Sequence, residues 1–251
     1  MMMLDDVVHT LCTDMDRMRE GMERSVRWLD RALVVHKESG REDRQNLYGI
    51  VQGGLNEQLR EESIALTTAR NLPGYAIGGL AGGESKADYC RITMFCTEKL
   101  PVNQPRYLMG VGYAIDLVLG VAMGVDQFDC VFPTRTARFG CALVPSGQIQ
   151  VKKAKFKNDY TPLDSNCPCS VCEKYTRAAL HSLAGRDDTI ATLLSIHNVA
   201  FQLRLMKCMR RAIYCGNFDV FCKEFLVLQY GSVEESPSWA ISTLQHVGFL
   251  V

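Results

Sequence analysis

Four short apolar runs, alternating with helical stretches, constrain this chain more than any other feature. They are LYGIV (47–51), YAI with its trailing glycines (75–79), RYLMG (106–110) and DQFDCVF (126–132). Each ends at glycine or a polar residue: Gln52, Gly79, Gly110 and Asp129. Helical spacing precedes or separates them at 17–36, 56–70, 85–99 and near 113–123. In the first of these, Met18, Met22, Val26, Leu29 and Leu33 recur every three or four residues, with Arg and Glu between them. Strand and helix alternating in this way predict parallel strands joined by helical crossovers. A (β/α)8 barrel and a doubly wound sheet both place ligands at the C-terminal strand ends, so the alternation fits either. There is no GxGxxG between a strand and a helix, and no GxxxxGK[ST].

The pattern changes after residue 140. GCALVPSGQIQVKKAKFKND predicts a hairpin turning at Pro145-Ser146-Gly147, with a basic second arm. A polar loop then surrounds a cysteine cluster, a long helix is expected over 188–212, and the tail from Ser236 has the character of one more helix. The division is therefore 1–140 for the βα units, 141–212 for hairpin and metal region, and 213–251 for a helical end, all within one domain.

Composition narrows the function classes. With 28 basic and 28 acidic residues the chain is not a general nucleic-acid coat protein, which would be basic overall. Eleven cysteines do not make a disulfide scaffold in a chain this long, 47% hydrophobic, whose start MMMLDDVVHT carries no basic leader. No apolar run reaches the length of a membrane span. A reducing compartment is expected, with the cysteines serving as core residues, ligands or nucleophiles. Cys12, Cys90, Cys96, Cys130, Cys141, Cys208, Cys215 and Cys222 sit among apolar neighbours and are expected to be buried.

Cys167, Cys169 and Cys172 form C-x-C-x-x-C, and His197 follows 25 positions after the last. Three thiolates and an imidazole make a closed tetrahedral set, the usual form of a structural zinc site. His181 and Cys208 are alternative fourth ligands.

The segments YGIVQGGL, YAIGGLAGGE, PRYLMGVG and FDCVFPTRTARFG, followed by CxCxxC and HN, resemble tRNA-guanine transglycosylases nearly from end to end. The resemblance implies an α/β fold, a (β/α)8 TIM barrel with a zinc-binding insertion near its C-terminus, here lacking the first strands. One structural zinc is implied, with His197 as the fourth ligand. The implied activity is replacement of guanine-34 by queuine at the tRNA wobble position, through a covalent aspartyl-ribosyl intermediate. It resembles retaining glycosidase chemistry. Asp129 is then the nucleophile, with Arg135 and Arg138 favouring its charged form. Asp5, Gln52, Gly79, Leu80 and Met109 bind the base. RNA contacts fall on Tyr107, Leu108, Met109, Gly110, Val111, Gly112 and Tyr113, and on Val131, Phe132, Pro133, Thr134 and Arg135. Lys152, Lys153, Lys155 and Lys157, and Lys207, Arg210 and Arg211, are cationic clusters suited to phosphate. Val7 stands where bacterial members usually carry cysteine, which points to queuine rather than a smaller precursor.

The resemblance further implies a tRNA with a GUN anticodon and a heterodimer with an accessory, non-catalytic subunit. It implies cytoplasmic residence, with peripheral association at the mitochondrial outer membrane. The family's general acid/base aspartate would precede Asp5, so the short start is expected to impair activity and to leave a sheet edge unpaired. Two other readings are a non-catalytic, zinc-stabilised tRNA-binding or regulatory fragment, and the accessory subunit itself.

Overall fold

The computed structural model describes residues 1–185 and 188–250. Its element order is α1 (Met15–Glu38), β1 (Gly49–Val51), α2 (Glu57–Thr68), β2 (Tyr75–Ile77), α3 (Lys86–Lys99), β3 (Arg106–Leu108), α4 (Ala114–Ala122), β4 (Gln127–Phe128), α5 (Phe132–Arg138), β5 (Cys141–Val144), β6 (Gly147–Gln150), α6 (Ser170–Lys174), α7 (Arg177–Leu183), α8 (Thr189–Tyr214), α9 (Phe218–Tyr230) and α10 (Ser238–His246). The chain divides into two compact units, one of Met1–Val111 with Leu119–Asp129, the other of Gly112–Val118 with the chain from Cys130 on.

In the first unit β1, β2, β3 and β4 lie side by side in that order, all parallel. The order never reverses, so these four strands contain no topological switch point of the doubly wound kind. Val51, Ala76, Ile77 and Leu108 are fully buried, as expected of parallel strands covered on both faces. Three of the anticipated helices begin at side-chain caps: Asp14, Asn56 and Ser85 accept from the third backbone N–H that follows each. Met18, Met22 and Val26 of α1 pack with Leu59 of α2, and Val8 and Cys12 join them. The edge expected to be bare carries a partner. Met2 bridges in parallel to Tyr48, the Tyr48 N–H donates to Met1 O at 2.8 Å, and the Met3 N–H donates to Tyr48 O at 3.1 Å.

The fourth strand is shorter than expected. It stops at Phe128, short of the expected Phe132, which instead begins the helix that runs to Arg138. Pro133 explains the change: its fixed φ and missing N–H suit the first helical turn.

In the second unit β5 and β6 form the antiparallel hairpin around Pro145-Ser146. The basic arm is not a strand, because β6 ends at Gln150 and Lys152–Lys157 follow as a turn and a short 3-10 segment. Ala142, Val151, Leu163, Val171, Leu180 and Leu194 make the core of this unit. Asn198 of α8 is buried and tied on three sides: its Oδ1 accepts from the Leu143 N–H at 2.8 Å, and its amide donates to Pro133 O at 2.9 Å and Cys141 O at 3.0 Å. The helices α6 and α7 were not anticipated, while α9 falls in the helical end expected over 213–251. The expected tail helix forms as α10, with Val251 outside the described residues.

Candidate active site and metal centre

The strand ends of the first unit and the segment after Asp5 enclose a cavity of about 380 Å³. Asp5, Val7, Val8, His9 and Thr10 line it from the N-terminal segment, Gly78, Gly79, Leu80 and Gly82 from the loop after β2, and Met109, Gly110 and Asp129 from beyond β3 and β4. Four of the five expected base-binding residues therefore meet at one cavity that also contains Asp129. The fifth, Gln52, is buried behind it, and its amide donates to Asp5 Oδ2. Sequence reasoning missed His9 and Thr10, for which the only signal was proximity to Asp5.

The segment 5–10 has no regular structure, so side chains hold it. Asp6 pairs with Arg17 at 2.7 Å and with Arg24 at 2.6 Å, and its N–H donates to Ser25 Oγ at 2.9 Å. The Arg17 pair, more than Arg24, holds the Asp6 carboxyl below its ordinary value. Thr10 Oγ1 donates to Gly79 O at 3.1 Å. On the facing loop, the Glu84 carboxylate accepts from the Ala81 and Gly82 N–H groups at 2.7 and 2.9 Å. Gly79 has φ +68°, and a Cβ there would stand 2.6 Å from Gln52 Oε1, so the turn demands glycine.

Burial raises the Asp5 carboxyl above its ordinary value, and the Gln52 hydrogen bond partly opposes this. Asp129 is exposed and oriented by neutral donors: the Gly110 N–H reaches its Oδ1 at 3.1 Å, and the Tyr107 hydroxyl donates to it. Burial, then the adjacent carboxylate, push the Tyr107 hydroxyl up to about 12. Tyr107 thus stays a neutral donor over any working pH.

The residues expected to touch RNA divide by exposure. Leu108, Val111 and Pro133 are buried, which leaves only their backbone for contact with a ligand. Gly112 is likewise buried, where a Cβ would stand 2.5 Å from Cys130 Cβ. In the second unit Tyr113 and Val131 are about half exposed, Thr134 and Arg135 are exposed, and the Tyr113 ring leans on Phe132 at 4.3 Å. The cationic residues Lys152, Lys153, Lys155 and Lys157, and Lys207, Arg210 and Arg211, are all exposed.

Cys167, Cys169, Cys172 and His197 come together, their ligand atoms all within 4.8 Å of one another. His197 Nδ1 lies 3.9, 3.6 and 3.3 Å from the three sulfurs. A tetrahedral ion with ordinary Zn–S and Zn–N bonds sets this separation at roughly 3.6 Å, so the geometry can hold one metal ion. The other imidazole nitrogen, Nε2, faces Leu143 O at 2.8 Å, the outer partner that fixes a ligating histidine's ring. Burial, then the neighbouring thiols, raise the Cys172 thiol to about 12. A triple thiolate here therefore calls for a cation. The alternative ligands are elsewhere engaged: His181 Nδ1 faces Val151 O at 2.8 Å, and Cys208 is exposed. Of the cysteines expected to be buried, Cys90, Cys96 and Cys222 are, whereas Cys208 and Cys215 are exposed on the outer side of α8 and at its end.

A parallel α/β sheet with a two-carboxylate cavity at its strand ends, and a closed Cys3His centre, define the class: an α/β protein with a ligand pocket and a four-ligand metal centre. Residues 1–230 match the model of the family described as TGT, queuine tRNA-ribosyltransferase, and the chain belongs to that family. It is 49% identical over 98% of its length to the queuine tRNA-ribosyltransferase catalytic subunit of Schizosaccharomyces pombe, covering 62% of that protein. It is 42% identical over 99% of its length to the catalytic subunit of Caenorhabditis elegans, covering 64% of it. To the queuine tRNA-ribosyltransferase of Streptococcus equi subsp. zooepidemicus it is 47% identical over 84% of its length, covering 55% of it. The chain thus spans less than two thirds of the length of these relatives.

Proposed function

We propose that this chain carries the base-exchange site of a queuine tRNA-ribosyltransferase. The observation that carries the reading is the meeting of Asp5, Gly79, Leu80, Met109 and Asp129 around one cavity. In this reading Asp129 attacks C1′ of guanosine-34 in a tRNA with a GUN anticodon. The C1′–N9 bond breaks as the aspartyl ester forms, and guanine leaves with a proton. Queuine then attacks C1′, gives up a proton and releases Asp129, so no net proton is consumed. The Tyr107 hydroxyl and the Gly110 N–H aim the carboxylate. Asp5 accepts from the base's hydrogen-bonding edge, Gln52 reads the carbonyl side, and Met109 supplies an apolar face. Val7, 63% exposed at the cavity, leaves room for the queuine substituent.

The metal is zinc in this reading. Four protein ligands leave it no open position, so it does no chemistry and ties the loop at 167–172 to α8. The sheet is a segment of a (β/α)8 barrel, supported by the unreversed strand order and by a cavity at the C-terminal strand ends. Tyr113, Val131, Thr134 and Arg135 meet the anticodon, and the basic clusters meet phosphates. The partner is an accessory subunit in a heterodimer, a reading supported by the term "catalytic subunit" in the relatives' names. The place of action is the cytoplasm, peripherally at the mitochondrial outer membrane; among the described residues no helix is long and apolar enough to cross a membrane.

The test is exchange of labelled guanine into an anticodon stem-loop RNA, with a search for a denaturation-resistant protein–RNA adduct. The adduct, and whatever exchange the chain supports, are expected to depend on Asp129 and to be lost in Asp129→Asn. An adduct that persists in Asp129→Asn would refute the assignment.

A further inference from the structure

Among the described residues Arg60 is the largest fully buried side chain, and nothing in the chemistry above uses it. A guanidinium taken out of water is costly unless its N–H groups find partners. Burial accordingly depresses the Arg60 pKa, opposed by the Cys96 thiol and by the negative charge of Glu84. Among the described residues no carboxylate lies within ion-pair distance of it. What it does have is two backbone carbonyls. Nε donates to Gly54 O at 2.9 Å and Nη1 donates to Val51 O at 3.1 Å. Those carbonyls flank Gln52, one on each side. The third nitrogen, Nη2, is buried and makes no hydrogen bond. It faces the cavity turn: a Cβ built on Gly79 would stand 3.6 Å from Nη2 and 2.6 Å from Gln52 Oε1.

The end of β1 is held by this side chain together with the Gly78 N–H, which donates to Val51 O at 3.0 Å, and Ser63 Oγ, which accepts from the Gln52 N–H at 3.1 Å. Beyond Val51 the backbone leaves the sheet through Gly53 (φ +136°) and Gly54 (φ +55°), where ladder hydrogen bonds end. The guanidinium fork adds to the last of them at Val51 O and takes their place at Gly54 O. Gln52 is then held with Nε2 on Asp5 and Oε1 beside Gly79. A lysine ammonium is a point donor without the fork's planar geometry, so it cannot span the two carbonyls in the same way.

We propose that Arg60 is a positioning residue for base recognition: by clamping the carbonyls of Val51 and Gly54 it sets the Gln52 amide and the Gly79 turn that the base meets. The proposal rests on the reading of the cavity as a base site. It requires that Arg60 act on the free base and not on RNA, because it is fully buried and its hydrogen-bonded carbonyls, Val51 and Gly54, flank Gln52.

The experiment uses the full 251-residue chain and two probes, free guanine by calorimetry and a GUN anticodon stem-loop by fluorescence anisotropy. Arg60→Lys and Arg60→Met are compared with the unaltered chain, and circular dichroism melts confirm folding. Arg60→Met is expected to weaken guanine binding by about tenfold or more, the loss of roughly one good charge-assisted hydrogen bond. Arg60→Lys, which keeps the charge but not the fork, is expected to fall between. Stem-loop affinity is expected to stay within about twofold, well under the 1.4 kcal/mol of a tenfold change. Equal guanine affinity in a folded Arg60→Met, or parallel losses for both probes, would refute the positioning role while leaving the base site intact. If Arg60→Met does not fold, Arg60→Lys decides by the same comparison. Failure of the unaltered chain to bind guanine at all would refute the base-site reading itself, and this inference with it.

Discussion

Gln52 and Asp5 are bound to each other, the Gln52 amide donating to the Asp5 Oδ2 at the wall of the cavity. Both side chains are proposed to read the base, so in the free protein each occupies the other's binding group. An entering base exchanges this bond for its own, and the net gain is smaller than a count of its hydrogen bonds suggests.

The Asp5 carboxyl is raised by burial, which makes a signed prediction. A carboxyl raised on folding favours the folded state below its ordinary pKa of 3.8, and that contribution is lost as pH rises through the raised folded value. At neutral pH the buried charge is a liability. Asp5→Asn is therefore expected to raise the melting temperature at pH 7, to leave it nearly unchanged at pH 3, and to weaken guanine binding at pH 7. Melts across pH with parallel calorimetry check this. A lower melting temperature for the variant at pH 7 would contradict it.

Asp6, the next residue, behaves in the opposite sense. Its carboxyl is lowered, first by Arg17. Its contribution is present above the ordinary pKa of 3.8 and is lost as pH falls through the lowered folded value. Asp6→Asn is expected to lower the melting temperature at pH 7, though modestly, because both arginines are about a third exposed and solvent screens the pairs. The deficit should shrink toward zero in strong acid. Because the ion pairs anchor the 5–10 segment, guanine affinity should drop as well, which a purely distant surface pair would not cause.

The sequence revealed most where chemistry needs particular residue types. Asp129, the glycines after β2 and the Cys3His set were legible because each combines an unusual residue with a fixed spacing, and the four strands were legible because each is apolar and stops at a polar or glycine residue. Three things were hidden, for physical reasons. Pro133 turns an apolar run into a helix start, and an apolar run alone does not separate strand from helix. The side-chain partner of Asp129 is Tyr107, 22 positions upstream and brought near by the β3–β4 pairing, beside the Gly110 N–H, whereas the sequence pointed to Arg135 and Arg138. Arg60 looked like one more charge on a charged helix, since burial of a cation leaves no compositional trace.

Tyr107→Phe tests that hidden donor. With its hydroxyl neutral up to about 12, Tyr107 gives Asp129 a hydrogen bond at every working pH. Removing it is expected to slow adduct formation by about tenfold, equally from pH 6 to pH 9, since nothing on Tyr107 titrates there. Stem-loop affinity should hold, which separates aiming of the carboxylate from RNA contact. A pH-dependent loss would assign the effect to another group.

The metal centre yields a prediction that reads out without activity. The four ligands converge from the loop at 167–172 and from α8, while His197 Nε2 faces the carbonyl of Leu143 in the β-hairpin. Holding the metal therefore ties a segment whose own hydrogen bonds are sparse to α8 and the hairpin: α6 has five residues and the loop before it has no regular structure. Cys172→Ser is the cleaner substitution, because His197→Ala would also leave the buried Leu143 carbonyl facing no imidazole, a cost unrelated to metal. Elemental analysis is expected to show one metal per unaltered chain and much less in Cys172→Ser. Amide exchange should then quicken across 164–175 and at Leu143, and a strong chelator should reproduce the pattern in the unaltered chain. Structural zinc in small fingers contributes roughly 10 kcal/mol or more. Here the same unit keeps a core of Ala142, Val151, Leu163, Leu180 and Leu194, so local opening rather than global unfolding is the expected response. Unchanged exchange across these segments in metal-free chain would show that the hydrophobic core alone sets the loop.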